Sequence, residues 1–218
     1  MAEARSRQQI AAKQTQRAIV EAAARLFIEH GYHATSIAQI AAEAGVAVQT
    51  IYNAVGAKRE LLSRVLDYAA AGERAPVPVP RFMAEQAERE TDPWQIIGQL
   101  VEFWSEALPR TAPVFRVIRE AAAADPEAAA LERDRAAQRL RNYGHAAQIL
   151  ADRGGLRSGL TVDQAAATIF AIGHPDIYRA LVIDGGWTAV RWARWAQTTL
   201  HDALIRTELS ASADRQAP

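Results

Sequence analysis

Residues 35–61, TSIAQIAAEAGVAVQTIYNAVGAKREL, decide how the chain is read. Two short amphipathic segments meet at Ala44-Gly45. In the first, Ile37, Ile40, Ala41 and Ala44 recur at helical spacing, Thr35 or Ser36 stands at the N-cap, and Gln39 can close a capping box from Ser36. Gly45 permits a sharp turn. Beyond it Val48, Ile51, Tyr52 and Val55 form a second inward stripe and leave Gln49, Thr50 and Asn53 facing elsewhere. Two short helices joined by a glycine turn, the second polar on its outer face, form the arrangement that enters the DNA major groove.

Helical signals extend to both sides. Ile19, Ala22, Ala23, Leu26 and Phe27 share one face, and Gly31 stands at a C-cap position, which predicts a helix from about Gln14 to His30. After Gly56, Leu61, Leu62, Val65, Leu66 and Ala69 predict another from about Lys58 to Ala71. In APVPVP, residues 75–80, alternate prolines forbid both a continuing helix and a central strand, so a domain boundary is placed there. The expected division is an N-terminal arm with a three-helix helix-turn-helix domain over 1–72, a Pro-rich linker over 73–92, and a helical bundle over 93–218.

Within that bundle, Asp92-Pro93 and Asp125-Pro126 are N-cap and N1 pairs. The first helix is predicted to run toward Pro109, and a shorter one from Pro113 to about Ala124. A long helix from Pro126 should end near Arg153 at Gly154-Gly155. Thr161 with Gln164 opens the next, which Gly173-His174-Pro175 should kink or split before Gly185-Gly186. A last amphipathic helix is predicted from about Thr188 to Leu209. The fold class expected is all-α.

Composition agrees. Half of the 218 residues are apolar, enough to bury a core, and much of that half is alanine, the best helix former. There is no cysteine, hence no disulfide framework or thiolate metal site, and neither a metal nor a cofactor is expected. With a polar start and no long apolar run, a cytoplasmic location is expected. Net charge is zero, yet through Val20 Arg5, Arg7, Lys13 and Arg17 stand against Glu3 alone, a basic arm ahead of a balanced body. The arm is either a solvated, frayed terminus or a phosphate contact.

The run RAIVEAAARLFIEHGYHATSIAQIAAEAGVAVQTIYNAVGAKRELL, Arg17–Leu62, resembles the N-terminal domain of the tetracycline repressor family of bacterial transcription regulators. The matching pieces are A-x-x-L-F-x-x-x-G-Y before the turn motif, T-S-I-x-x-I-A-x-x-A-G-V within it, and T-I-Y-N with Lys58 after it. APVFRVIREAAAADPE and GHPDIYRALVIDGGW look like parts of the family's effector domain. This likeness implies a dimeric regulator, a repressor released from a palindromic operator by a small molecule that favours wrongly spaced reading heads.

By resemblance and geometry Gln49, Thr50 and Asn53 are assigned to base edges, and Tyr52, Lys58 and Thr35 or Ser36 to phosphates. Tyr52 could equally pack inward, and Thr35 could simply cap its helix. One short helix discriminates too little in a genome, so paired modules on a two-fold double-stranded site are expected. The homodimer surface is placed on Tyr178, Leu181 and Val182 with Trp192, Trp195, Thr199 and Leu200, unless these fill the protomer's own core. Trp187 is expected to fill that core. Phe103, Trp104, Phe115, Ile118, Tyr143, Phe170 and His174 are the candidate wall of an effector pocket, with Arg119 as anchor, and ordinary core is the rival reading.

Two other classes stay open. A DNA-binding dimer could sense nothing. An enzyme could use His174 or His145 with Glu102, Glu106 or Glu120, although no nucleophile, phosphate loop or H-E-x-x-H pair accompanies them.

Overall fold

The computed structural model describes residues 2–72 and 92–205, the side chains of residues 2–8 excepted. The fold is all-α: among the described residues the only strand-like pairing is a single bridge between Leu156 and Ile205. The chain divides into two compact units, one of Met1–Ala75 with Arg110–Arg135, the other of Pro76–Pro109 with Ala136–Pro218.

The first unit holds α1 (Ala2–His30), α2 (Ile37–Ala44), α3 (Val48–Ala54) and α4 (Lys58–Ala71). Helix α1 starts a dozen residues before the expected Gln14, so the basic arm is helical; its Ala, Arg and Gln content favours that state. Gly31 ends it with φ 82°, its N–H donating to the Phe27 carbonyl at 3.0 Å. Helix α1 packs against α2, α3 and α4. Ile19, Ala22, Ala23, Phe27, Ile40, Ile51, Leu61 and Leu62 are almost wholly shielded from solvent and form the centre of the core.

Two further helices span both groupings, α5 (Pro93–Ala122) and α6 (Pro126–Asp152). Val114, Val117, Ile118, Ala121, Ala128 and Leu131 are buried in the first unit's core. Residues 110–135 therefore group with the N-terminal helices, where a contiguous second domain over 93–218 was expected. Apart from Asp92, the expected linker lies outside the described residues. Asp92 Oδ1 accepts from the Trp94 N–H at 3.0 Å, and Asp125 Oδ1 from Glu127 at 2.8 Å, so both Asp-Pro starts are present.

Helix α5 departs from expectation by running unbroken through Pro109 and Pro113. Each proline deletes one bond to the carbonyl four residues earlier, which argues for a break. Burial of Leu108, Ala112, Val114 and Val117 along the helix outweighs that loss, with Pro109 itself exposed.

The rest of the second unit comprises α7 (Val162–Ile172), α8 (Pro175–Tyr178), a π-helical continuation (Arg179–Asp184) and α9 (Ala189–Leu204). Thr161 and Gln164 form the reciprocal capping box, and Thr188 caps α9. The break falls at Gly173-His174-Pro175. Gly173 is required there, because a Cβ would lie 2.2 Å from the Trp104 ring. The expected end of the last helix at Leu209 lies outside the described residues.

On the surface of the first unit Tyr68 donates to Glu21 Oε1 at 2.5 Å, and Arg17 Nε to the same oxygen at 2.8 Å. The Tyr68 hydrogen bond, then the Arg17 one, holds the Glu21 carboxyl below its ordinary range. A depressed carboxylate stabilises the fold above the unfolded carboxylate pKa, and that contribution is lost as pH falls through the folded value. Tyr68→Phe should raise the Glu21 midpoint in an NMR titration more than Arg17→Ala does. The variant's stability deficit should close as pH falls below the carboxylate range. An unchanged Glu21 midpoint in Tyr68→Phe would contradict the assignment.

Candidate nucleic-acid interface

The turn between α2 and α3 rests on a left-handed residue. Gly45 has φ 66° and ψ 33° and donates back to α2, while the Val46 N–H reaches the Ala41 carbonyl at 3.0 Å. Such a turn suits glycine because a Cβ would be strained there. Helix α2 is fixed at its start by Ser36, whose N–H donates to Gln39 Oε1 at 2.7 Å and whose Oγ accepts the Gln39 N–H at 3.2 Å.

Helix α3 has no such help. Neither Ala47 before it nor Ala57 before α4 makes a side-chain cap. A helix of two turns is unstable alone. It is held by Ile51, fully buried, by Val55 just beyond its end, and by Gln16 Nε2 of α1 donating to the Ala54 carbonyl at 3.3 Å.

That anchoring settles which side faces solvent. Gln49 and Asn53 are exposed, one turn apart, with Gln49 Nε2 donating to Asn53 Oδ1 at 3.0 Å. Thr50 is half-buried. Tyr52 is 48% exposed and Val48 41%, so the expected inward stripe is carried by Ile51 and Val55 alone. The reading of Tyr52 as core is thereby replaced by a surface position beside Asn53.

Thr35 is a correction. It is 1% exposed, and its hydroxyl donates to Gly31 O at 2.8 Å and approaches Leu26 O at 3.1 Å. Its side chain ties the end of α1 to the start of α2 and is not available to phosphate. Ser36, beside it, is exposed but engaged as the cap.

Lys58 is half-buried, its Nζ 4.2 Å from the centroid of the Tyr32 ring. Burial lowers the Lys58 ammonium below its ordinary range, and raises the Tyr32 phenol. Tyr32 packs against Phe27 and His33 at 5.6 and 5.4 Å between centroids and so positions the lysine. Tyr32 figured in the sequence only as part of the G-Y match, and Val48, expected on the inward stripe, is exposed instead. The signal for Tyr32 was its place directly after the Gly31 C-cap. In the arm, Lys13 is exposed and Arg17 is paired with Glu21.

The residues expected to line an effector pocket do not stay together. Phe115 and Ile118 belong to the first unit's core, and exposed Arg119 faces Glu132 at 3.5 Å. Their apolar spacing on α5 was real, but it serves the packing of the N-terminal helices. Phe103 is half-buried in the second unit.

The others form a chain of rings within the second unit. His174 packs on Phe170 at 5.5 Å, Phe170 on Tyr143 at 6.4 Å, and Tyr143 on Trp104 at 5.8 Å. Trp104 Nε1 donates to the Tyr143 hydroxyl at 3.2 Å, whose pKa burial pushes up. Arg139 lies 5.1 Å over Phe170. His174 Nδ1 accepts from the Asp176 N–H at 3.2 Å and so caps α8.

The expected dimer surface is corrected in part. Tyr178, Trp192 and Leu200 are buried inside the protomer, Tyr178 edge-on to Trp192 at 5.1 Å. Leu181, Val182, Trp195 and Thr199 are half-buried, and Trp187, expected inside, is half-buried edge-on to Trp195 at 6.1 Å. Ile183 and Val190, at 56% and 70% exposure, are the most open apolar side chains of this region.

Residues 19–65 match the sequence profile of the bacterial regulatory proteins of the tetR family. No curated protein sequence is significantly similar to the chain. Solved structures share the fold over most of its length. NalD, the secondary repressor of the MexAB-OprM multidrug efflux pump of Pseudomonas aeruginosa, is 20% identical with a TM-score of 0.71, covering 91% of this chain and 99% of its own. The transcriptional regulator FadR of Bacillus subtilis, in complex with stearoyl-CoA, is 19% identical with a TM-score of 0.68, covering 84% and 96%.

Thr35 and Lys58 should behave oppositely under substitution. Thr35→Val should cost about 1 kcal/mol of stability, for a lost buried hydrogen bond, and leave the salt dependence of duplex binding unchanged. Lys58→Ala should leave stability nearly intact and reduce the salt slope by about 1. Denaturant melts and duplex titrations over a range of salt check both; a slope unaltered in Lys58→Ala would remove that residue from the interface.

Proposed function

We propose that the chain, which carries a tetR-family domain at its N-terminus, is a homodimeric regulator of transcription. It holds a two-fold operator through α3 and leaves it when a small molecule occupies the second unit. The observation that carries this reading is the outward face of α3. Anchored by Ile51, it presents Gln49, Asn53 and Tyr52 to solvent within the segment that matches the family. Side-chain amides exposed on a short rigid helix suit base edges in a major groove, and Lys58 with the Lys13 arm suits the phosphates.

Two copies are needed, because half-sites about 34 to 36 Å apart give the discrimination that one short helix lacks. The surface we assign to pairing centres on Ile183 and Val190 with the half-buried Leu181, Val182 and Trp195. Exposed apolar side chains on neighbouring elements are costly to leave in water and suit a self-complementary contact.

For the effector we assign the ring chain Trp104, Tyr143, Phe170 and His174. These side chains are aromatic and in mutual contact, with Arg139 stacked on Phe170. Release requires that the effector prefer a form with low operator affinity. The coupling is reciprocal, typically about 1 to 3 kcal/mol. The fold relative NalD is a repressor and FadR was solved with stearoyl-CoA, which supports repression and ligand response as the default.

Selection of duplexes from a random pool by the purified chain should enrich a two-fold sequence bound in a salt-sensitive manner. Failure to enrich any sequence would overturn the proposal. Ile183→Arg with Val190→Arg should give a folded monomer by sedimentation that binds the selected duplex at least tenfold more weakly, since the paired contact is lost. An intact dimer in that variant would place pairing elsewhere.

A further inference from the structure

We infer that α3 reads A·T base pairs through two adjacent rows of side chains. Val48 and Tyr52 form an apolar row that meets thymine methyls, and Gln49, held by Asn53, presents the amide that meets adenine. The inference rests on the proposed role of α3 as the helix in the major groove.

The apolar row lies outside the hydrophobic core of the first unit. Val48 opens a helix that lacks a side-chain cap, and valine is a poor helix former. It is also 41% exposed as a residue while Ile51 and Val55 fill the core. Tyr52, one turn later and 48% exposed, continues the row. The thymine methyl is the one apolar group that a base pair shows in the major groove.

The amide row is oriented. Because Gln49 Nε2 donates one N–H to Asn53 Oδ1, the Gln49 amide is held with Oε1 and its second N–H free to face outward. That pair, one acceptor and one donor, complements N6–H and N7 of adenine. Guanine would set its O6 acceptor against Oε1, and turning the Gln49 amide to relieve this breaks the bond to Asn53. Asn53, with one lone pair of Oδ1 given to Gln49, keeps its two Nδ2 donors, one of them for a thymine O4 in the neighbouring pair.

Helix α3 also carries no charged residue, being VQTIYNA, so it lacks the arginine or lysine that most often reads guanine. Both rows and the missing cation point to the same base pairs.

The test begins with duplexes enriched from a random pool by the full-length chain, each then remade with deoxyuridine, which lacks the 5-methyl, at one thymine position at a time. The half-site should contain A·T pairs. One thymine per half-site should be sensitive, its loss of the methyl weakening wild-type binding about fourfold, the factor expected for one buried methyl. Val48→Ala should bind the thymine and deoxyuridine duplexes equally. Asn53→Ala, which frees the Gln49 amide to turn, should lose most of the preference for adenine over guanine at one position while remaining folded by circular dichroism. If deoxyuridine is tolerated everywhere by the wild type, or if Val48→Ala keeps the methyl sensitivity, the inference is overturned and the regulatory reading stands. If no sequence is enriched at all, both fall.

Discussion

The reading head depends on the burial of one isoleucine. Helix α3 has seven residues, no side-chain cap at its start and none at the start of the helix that follows. What keeps it helical is Ile51 at zero exposure, with Val55 beside it, in a core shared with α1 and α4. Fixing a two-turn helix by one face determines the other. With Ile51 inward, Gln49, Tyr52 and Asn53 are left to solvent, and Val48 at the start of the helix is 41% exposed. Removal of a buried isoleucine side chain typically costs about 2 to 5 kcal/mol, enough to release the whole segment.

Around that anchor the first unit uses polar groups for placement. Ser36 and Gln39 set the start of α2, Gly45 sets the turn, Thr35 ties α1 to α2, and Tyr32 supports Lys58. None of these needs to touch DNA to matter. They fix where the outward side chains stand. In the second unit the equivalent constraint is the approach of Trp104 to Gly173, which leaves no room for a Cβ and fixes the helix break beside His174. The ring chain to Trp104 starts at that break, where His174 packs on Phe170 and Phe170 on Tyr143.

Much of this was legible in the sequence, for local reasons. Capping boxes at Ser36–Gln39 and Thr161–Gln164, Asp-Pro starts at 92–93 and 125–126, and the limits of α4 are set by contacts within a few residues. What was not legible depends on distant partners. With five apolar residues in eight, Val48 to Val55 fits more than one inward face, and only the packing of Ile51 selects among them. The inward turn of Thr35 requires the carbonyls of Leu26 and Gly31 to be present. An amphipathic stripe says that Tyr178, Trp192 and Leu200 avoid water, not whether their cover is the same protomer or a second one. Likewise Phe115 and Ile118 read as apolar without saying which unit's core would take them, and two prolines read as a break that burial of the flanking residues overrules.

The most direct measurement is an NMR spectrum of the isotope-labelled chain bound to a selected duplex, observing the Val48 methyls and the Gln49 and Asn53 side-chain amides. Cross-relaxation from these groups to base protons in the major groove is expected, with Ile51 unchanged from the free protein. Contacts confined to other surfaces, with the α3 side chains unperturbed by the duplex, would contradict a major-groove role for α3.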